Sequence, residues 1–164
     1  MKARAVALVV LAAVVTLTSV AAAGPDAAKQ RVAINIKIFP QGTFVLTPLQ
    51  AGALKRDSGT IDGDWTRIPG RTVMRDGQTV KIYNGAVATL TGKRGTLTIR
   101  DRNEWIDVSN ENTRYGYPPG VGIGTWKVVR GTGQYGGVVG KGRNGHAGLG
   151  SQWYARYEGY LTLP

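Results

Sequence analysis

The clearest pattern along the chain is an alternation of apolar and polar side chains, with the period of two that a half-buried β-strand requires. It is strongest in residues 31–39, 94–100 and 153–163. Shorter stretches of the same character are residues 43–47, 58–65, 79–90, 105–108 and 124–129. The pattern predicts an all-β protein with about eight strands, a number at which a closed barrel is filled by side chains or holds one small ligand.

Turn-forming residues separate these stretches, because glycine and asparagine accept a positive φ and proline presets its own φ. Asp76-Gly77 stands between two short apolar runs and predicts a β-hairpin. Residues 47–55 are the only candidate for a helical turn, and Pro48 and Gly52 oppose it. The other predicted turns are Pro40-Gln41-Gly42, Asn84-Gly85, Pro118-Pro119-Gly120 and Asn144-Gly145.

The amino-terminal segment has the order of a secretory signal peptide. Lys2 and Arg4 precede an apolar run over residues 5–15, and small residues follow up to Ala23. A membrane-spanning helix needs about 20 predominantly apolar residues, and threonine and serine interrupt this run before that length. We therefore expect residues 1–23 to be a cleaved signal peptide.

Cleavage after Ala27 or Ala28, or retention as an uncleaved anchor, are the alternatives. The remaining residues 24–164 have the length of one domain. We expect this domain to be secreted or associated with the cell envelope, without a permanent membrane anchor.

Thirteen glycines fall between residues 116 and 150, without the triplet period of collagen. Aliphatic and aromatic residues are interleaved with them, which gives more apolar surface than a disordered linker carries. We expect strands that bend tightly, contain bulges or let another backbone approach closely.

Residues 131–136 read Gly-Thr-Gly-Gln-Tyr-Gly and match the G-x-G-x-x-G pattern of dinucleotide-binding loops. Such a loop must open a helix whose N-terminus faces the pyrophosphate. Residues 137–142 contain three more glycines, each of which costs about 0.8 to 1 kcal/mol in a helix relative to alanine. We therefore reject a nucleotide site.

The longer stretch of residues 129–140 resembles the G-T/S-G-x-F/Y-x-G-x-x-G hairpin of the allene oxide cyclase and dirigent families. Gly131, Gly133, Tyr135, Gly137 and Gly140 match it position by position. The resemblance implies a single antiparallel up-and-down β-barrel of about eight strands that encloses an apolar cavity, as in small exported bacterial proteins of unassigned function. No position matches a catalytic motif of either family, so the catalytic residues stay unknown.

The chain has no cysteine and one histidine. This composition excludes thiol nucleophiles, disulfides, thiolate metal sites and multi-histidine metal sites within one chain. We expect no cofactor and no metal.

The formal net charge is +11, and it falls by two to +9 when Lys2 and Arg4 are removed with the signal peptide. Such a charge attracts polyanions. The basic residues are scattered, however, and the longest runs are the pairs Lys55-Arg56 and Lys93-Arg94. We expect weak attraction to anionic polymers or surfaces and no specific nucleic-acid site.

Two sets of carboxylates are candidates for chemistry. Asp57, Asp62 and Asp64 suggest a calcium loop, but the EF-hand pattern fails because Val73 stands where the bidentate glutamate belongs; a weak cation site of other geometry stays open. Glu104, Asp107, Glu111 and Glu158 suggest a paired-carboxylate hydrolase. Glu104 and Asp107 fall on opposite faces of a regular strand, so we expect surface carboxylates.

His146 has the ordinary pKa of a general base. Its surroundings, residues 143–148, predict an exposed turn. Ser151 is nearby, but it is not part of a nucleophile elbow. A serine hydrolase is therefore not expected.

The aromatic residues are the remaining candidates, since they can line a pocket for a small ligand. We expect Trp126 and Trp153 in the core and Tyr135 at the mouth of a barrel. The full set of expected ligand-binding residues is Trp105, Trp126, Tyr135, Trp153, Arg156 and Tyr157.

Three hypotheses for the function follow. The first is binding of a small apolar or amphipathic ligand in the barrel interior. The second is a cyclase or isomerase acting on a reactive lipid or phenolic substrate, as the resemblance permits, with Glu104, Arg156 or Tyr157 as inward polar groups. The third is a structural role at the cell envelope, in which the positive charge holds the protein against acidic polymers.

Overall fold

Nine β-strands and one short 3₁₀ turn make up the part of the chain that the computed structural model describes, residues 28–38, 41–63, 70–107, 120–149 and 152–164. The all-β prediction is confirmed. The strands are β1 (Lys29–Lys37), β2 (Thr43–Pro48), β3 (Asp57–Gly63), β4 (Gly70–Arg75), β5 (Gln78–Gly92), β6 (Gly95–Asp107), β7 (Gly120–Gly131), β8 (Val139–Leu149) and β9 (Gln152–Thr162), with the 3₁₀ turn at Gly133–Tyr135 between β7 and β8.

The strands form one antiparallel sheet whose pairings run in a ring. Consecutive strands pair from β5 to β9, β9 pairs with β1, β1 with β2, and β2 with β3. The ring is completed where β3 pairs with residues 88–92 of β5. β4 pairs with residues 78–83 of β5, so eight strands form the ring and β4 extends it. The two predicted strands at 94–100 and 105–108 are a single strand, β6.

One predicted turn is confirmed and two are wrong. Asp76 and Gly77 have φ angles of 47° and 77° and join β4 to β5 in a hairpin. Gly85, with φ 89°, is instead a bulge inside β5, where the register shifts between Asn84 and Ala86. Asn144 and the glycine after it lie in the middle of β8, because both neighbouring strands supply pairing partners there.

Other predictions fall at or near undescribed residues. Residues 1–27, including the signal peptide, lie outside the described residues, as do Asp64, Ser151, and residues 108–119 with Glu111. The predicted turns at 40–42 and 118–120 are only partly described. Residues 47–55 contain the end of β2 and a series of bends, and no helical turn.

The core lies on the inward faces of the strands. In β9 the alternation is as predicted: Ala155 and Tyr157 are buried, whereas Tyr154 and Arg156 are exposed. The buried side chains form one hydrophobic cluster. Because full burial of a large aliphatic side chain contributes about 1.5 to 3 kcal/mol, this cluster supplies much of the stability. Its buried members are Val32, Ile34, Ile36, Phe44, Leu46, Leu54, Ala88, Leu90, Leu97, Ile99, Trp126, Tyr135, Val138, Ala155, Tyr157 and Leu161.

A set of hydrogen bonds to the Asp57 carboxylate, the Asp57 hydrogen-bond cluster, links the 3₁₀ turn to the start of β3. The Tyr135 hydroxyl, on a side chain that is only 2% exposed, donates to Asp57 Oδ2 at 3.0 Å. The same carboxylate accepts the backbone N–H groups of Lys93 and Arg94 from the β5–β6 turn. Burial and the neighbouring carboxylate raise the pKa of Tyr135, so it stays a hydrogen-bond donor.

Candidate functional site

The glycines of β7 that face inward make room for large side chains from the two neighbouring strands. A Cβ atom at Gly120 would collide with the Trp105 ring, and one at Gly122 would lie 2.7 Å from it. Val121 and Ile123, between these glycines, point outward and are 49% and 69% exposed. The apolar side chains of this half of β7 therefore cover the exterior, which reverses the usual pattern of a sheet with one buried face.

Gly124 separates two buried amide side chains. A Cβ atom there would collide with Asn103 Oδ1 of β6 and would lie 2.7 Å from Asn144 Oδ1 of β8. Both asparagines are buried. Because β7 has no side chain at this level, groups from β6 and β8 approach each other across it.

The buried carboxylate of Asp101 is the centre of this polar cluster, which comprises Asp101, Asn103, Asn144, His146 and Tyr157. Tyr157, fully buried on β9, donates its hydroxyl to Asp101 Oδ2 at 2.8 Å. The Asn144 amide donates to the same oxygen at 3.5 Å, and His146 Nε2 lies 3.8 Å from it. The cluster thus brings together residues from three strands.

Four polar atoms of this cluster are buried and have no hydrogen-bond partner among the described residues. They are Asp101 Oδ1, Asn103 Oδ1, Asn144 Oδ1 and His146 Nε2. A buried polar group without a partner costs about 1 to 3 kcal/mol, and several in one place make this cluster the candidate functional site. Three of them are oxygens that accept hydrogen bonds.

Burial shifts the ionisation of each titratable group in the cluster. It raises the pKa of Asp101, partly offset by the Tyr157 hydroxyl, which stabilises the ionised carboxylate. Burial, with the charge of Asp101 close by, raises the pKa of Tyr157 well above its usual value. Burial lowers the pKa of His146 to about 4, so its imidazole is neutral at pH 7.

The low pKa of His146 predicts a loss of stability in acid. Between pH 6.5, where an unfolded histidine titrates, and pH 4, the unfolded chain binds a proton that the folded chain does not. Stability therefore falls as the pH falls through this window, by on the order of 2 to 3 kcal/mol from this group. The raised pKa of Asp101 acts in the opposite direction, since the folded carboxyl binds its proton at a higher pH than the unfolded one.

Urea unfolding of the wild type and of His146→Gln at pH 7.5, 6.5, 5.5 and 4.5 checks this prediction. The variant lacks the imidazole but keeps Asp101 and Tyr157, so their contribution cancels in the comparison. We expect the wild type to lose about 2 kcal/mol relative to the variant between pH 7.5 and pH 4.5. Parallel pH curves would mean that His146 is not held neutral by the fold.

Two stacked indoles lie beside the polar cluster. The rings of Trp105 and Trp153 are 4.7 Å apart between centroids and nearly parallel, at 4°. Gly148 of β8 leaves the space for both rings. Trp153 Nε1 is buried without a partner among the described residues. The two stacked rings thus give the site an aromatic surface, and the Trp153 Nε1–H group is a hydrogen-bond donor without a partner among the described residues.

The structure brings together most of the predicted site residues. Trp126 and His146 both meet the Tyr157 ring edge to face, and Trp105 and Trp153 form the stack. Tyr135 lies against Gly131, at the end of β7 away from Gly120. It is buried there and does not line an opening, contrary to expectation.

The two charged candidates lie elsewhere. Arg156 lies on the outer face, where its guanidinium binds the Glu158 carboxylate. The guanidinium also donates to Asn35 Oδ1 at 3.0 Å. Glu104 is paired with Arg75 on the same outer side. Neither belongs to the interior cluster.

The prediction for His146 was wrong. It is 8% exposed and lies in β8, opposite Gly122 and Ala155. The sequence pattern suggested a turn because Asn144-Gly145 precedes it, yet a long strand runs through both. Asp101, Asn103 and Asn144 were missed altogether. Their only sequence signal was the alternation of Asp101, Asn103 and Trp105 on one face of β6.

The three aspartates considered as a weak cation site are only partly described, because Asp64 lies outside the described residues. Asp57 is buried and bound by backbone N–H groups and by Tyr135, and Asp62 is exposed on β3. No group of three or more histidine, cysteine, aspartate or glutamate residues in the described part of the chain is arranged to hold a metal ion.

Comparison with known proteins adds no relative: no family model, curated protein or solved structure matches the chain significantly. Within the described ranges, no helix is both long and apolar enough to cross a membrane.

Proposed function

We propose that the ring of strands is a β-barrel of the allene oxide cyclase and dirigent kind, and that it binds a small amphipathic molecule in its interior. The polar end of the ligand meets the cluster around Asp101, and its apolar part lies against Trp105 and Trp153. The observation that carries this proposal is the set of unpartnered buried atoms between β6 and β8.

The chemistry of these atoms defines the polar end of the ligand. The side-chain oxygens of Asp101, Asn103 and Asn144 can each accept another hydrogen bond. Tyr157 already donates its hydroxyl proton to Asp101, so this proton is not available to a ligand. A ligand with a hydroxyl or amine group therefore fits these three acceptor oxygens.

A matched pair of small molecules tests this prediction. p-Cresol and p-xylene have nearly the same shape, but only p-cresol has a hydroxyl donor. We expect p-cresol to raise the melting temperature and quench tryptophan fluorescence at millimolar concentration, and p-xylene to bind at least tenfold more weakly. A site that holds a ligand donor discriminates strongly against the analogue that lacks it.

Asp101→Asn is the matching variant, because it keeps the shape but replaces an acceptor oxygen by an amide. It should reduce the preference for p-cresol, whereas the exposed control Asp62→Asn should not. Native mass spectrometry of protein from its own host is expected to show a retained small molecule. Equal responses to both probes, or no retained ligand together with an interior filled by side chains, contradict the proposal.

A second candidate function is an isomerase or cyclase, and one observation favours it. Tyr157 and Asp101 form a buried hydroxyl–carboxylate pair beside a neutral imidazole. A positioned proton donor or acceptor of this kind contributes about 10²- to 10⁴-fold to a reaction rate. The retained molecule, returned to fresh protein and followed by chromatography and NMR, should then be converted into an isomer of the same mass, and Tyr157→Phe should slow that conversion at least 100-fold. Recovery of the molecule unchanged rules against the enzyme.

A further inference from the structure

Five basic side chains form two adjacent rows on the outer face of β6, β7 and β8. In one row Arg100, Lys127 and Lys141 are direct cross-strand neighbours. In the next row Arg102 and Arg143 stand on either side of Thr125. Neighbouring strands are about 4.8 Å apart, so these residues form a compact patch, although they are scattered in the sequence. We call Arg100, Arg102, Lys127, Lys141 and Arg143 the basic face.

No member of the basic face has a side-chain ion pair or hydrogen bond with another described residue. The carboxylate opposite Arg143 in the register, Glu158, is engaged by Arg156. Like charges directly opposite each other destabilise a sheet. All five side chains are exposed, and a bound polyanion would relieve their mutual repulsion.

A depression of about 420 Å³ lies next to these rows and adds a second kind of recognition. Arg102 and Arg143 border it, and Thr125, Glu104 and Ile123 complete its lining with Gly124 and Asn144. It therefore offers two guanidinium groups, a hydroxyl and an exposed aliphatic surface, while its carboxylate, Glu104, is already paired with Arg75. Guanidinium groups bind carboxylates in two-pronged geometry, and the other groups suit the hydroxyls and the apolar faces of a sugar ring.

We infer that the basic face binds a linear acidic polysaccharide, with a uronic acid unit in the depression and neighbouring carboxylates along the row of Arg100, Lys127 and Lys141. This interaction does not require the interior ligand, because the five basic side chains lie on the opposite face of the strands from the interior cluster. Asn144 is the one residue that borders both the cluster and the depression. It gives the protein a second binding surface and an attachment to acidic polymers.

The surface fits nucleic acid less well. Proteins that bind single strands combine a basic groove with aromatic rings on which bases stack. The aromatic residue that continues the row, Tyr160, has its ring covered by the Lys29 ammonium at 4.3 Å. The major groove of duplex DNA admits a helix or a two-stranded ribbon, and β6, β7 and β8 are part of a continuous sheet.

The test compares two triple variants with the same change in charge and the same residue types. The first, Arg100→Gln/Lys127→Gln/Lys141→Gln, removes one row of the basic face. The control, Arg56→Gln/Lys55→Gln/Lys93→Gln, changes exposed residues at the end of the ring near Asp57. Circular dichroism and melting temperature establish that both variants fold.

The probe is polygalacturonate, with neutral dextran as the comparison polymer, titrated at 20, 100 and 300 mM salt. Wild-type protein should bind polygalacturonate and not dextran, more weakly as the salt rises. The first variant should lose affinity by about 100-fold, since each basic residue near an anionic surface contributes roughly a factor of five. The control should lose less than threefold.

Equal losses in the two variants would show attraction to net charge alone and would overturn the proposal. The same holds if the wild type binds a 20-nucleotide oligothymidine or phosphatidylglycerol vesicles but not polygalacturonate. The p-cresol response of the first variant should stay unchanged, so failure of either proposal leaves the other standing.

Discussion

Replacing Asp57 with alanine is expected to lower the free energy of unfolding by about 3 to 5 kcal/mol, the largest effect of any single change that we predict. The carboxylate accepts the N–H groups of Ser58, Lys93 and Arg94 and the hydroxyl of Tyr135. Alanine would leave the buried Tyr135 hydroxyl and three partly buried N–H groups without this partner. It would also open a gap against Gly92, where a Cβ atom would collide with the Asp57 carboxylate.

Two control variants separate the causes. Tyr135→Phe removes one hydrogen bond and keeps the ring, so it should cost about 1 to 2 kcal/mol. Asp62→Ala, an exposed aspartate on the same strand, should change stability by less than about 0.5 kcal/mol. Urea unfolding measures all three. If Asp57→Ala lowers the free energy of unfolding by less than about 1 kcal/mol, the Asp57 hydrogen-bond cluster does not stabilise this end of the ring.

Gly142→Ala is expected to destabilise the fold by about 2 to 3 kcal/mol. The inward-facing Gly142 lies between Trp126 and β9. A Cβ atom there would collide with the Glu158 carbonyl oxygen and would lie 2.7 Å from Trp126 Nε1. That indole donates to the Arg143 and Glu158 carbonyls at 3.1 and 3.2 Å. The methyl group would force Trp126 away from these acceptors or the two strands apart.

Gly145 on the same strand is the matched control. It faces outward, and an added Cβ atom would be 4.0 Å from its nearest neighbour. Gly145→Ala should therefore be neutral or should stabilise by about 0.5 kcal/mol, because alanine loses less backbone entropy on folding than glycine. Thermal unfolding should show a lower melting temperature for Gly142→Ala and an unchanged or higher one for Gly145→Ala. Similar shifts would mean that the inward glycines are not needed for packing.

The two ends of the ring are packed differently. Near Tyr135 the interior of the ring is filled by apolar side chains, and the Asp57 hydrogen-bond cluster links the strands. Near Trp105 the strands present glycines to the interior, so the indoles and the polar cluster occupy space that aliphatic side chains fill elsewhere. The hydrogen bonds of Asp57 thus lie at one end, and the unpaired polar groups lie towards the other.

The local periodicity was enough to predict the strands that bury one regular face. Residues 153–163 alternate in sequence and alternate in burial in β9, because a strand puts successive side chains on opposite faces wherever it lies. The hairpin at Asp76-Gly77 was also predictable, since its positive φ angles are a local requirement.

The same rules failed for β8 and for half of β7. Asn144-Gly145 carries a turn signal, but pairing with β7 and β9 on both sides outweighs a local preference worth about 1 kcal/mol. In β7, apolar Val121 and Ile123 face outward because the inward positions are taken up by the Trp105 ring. A pattern of apolar positions cannot reveal that a neighbouring strand already fills the space.

Local sequence patterns were enough to identify a protein built from β-strands, to locate most of the strands and to say which faces of the regular ones are buried, because these features depend on neighbouring residues in the chain. The polar cluster and the basic face, in contrast, arise from contacts between distant strands. Asp101, Asn144 and Tyr157 are brought together by strand pairing, as are Arg100, Lys127 and Lys141. Register between distant strands sets these contacts, and it depends on every pairing in the ring at once.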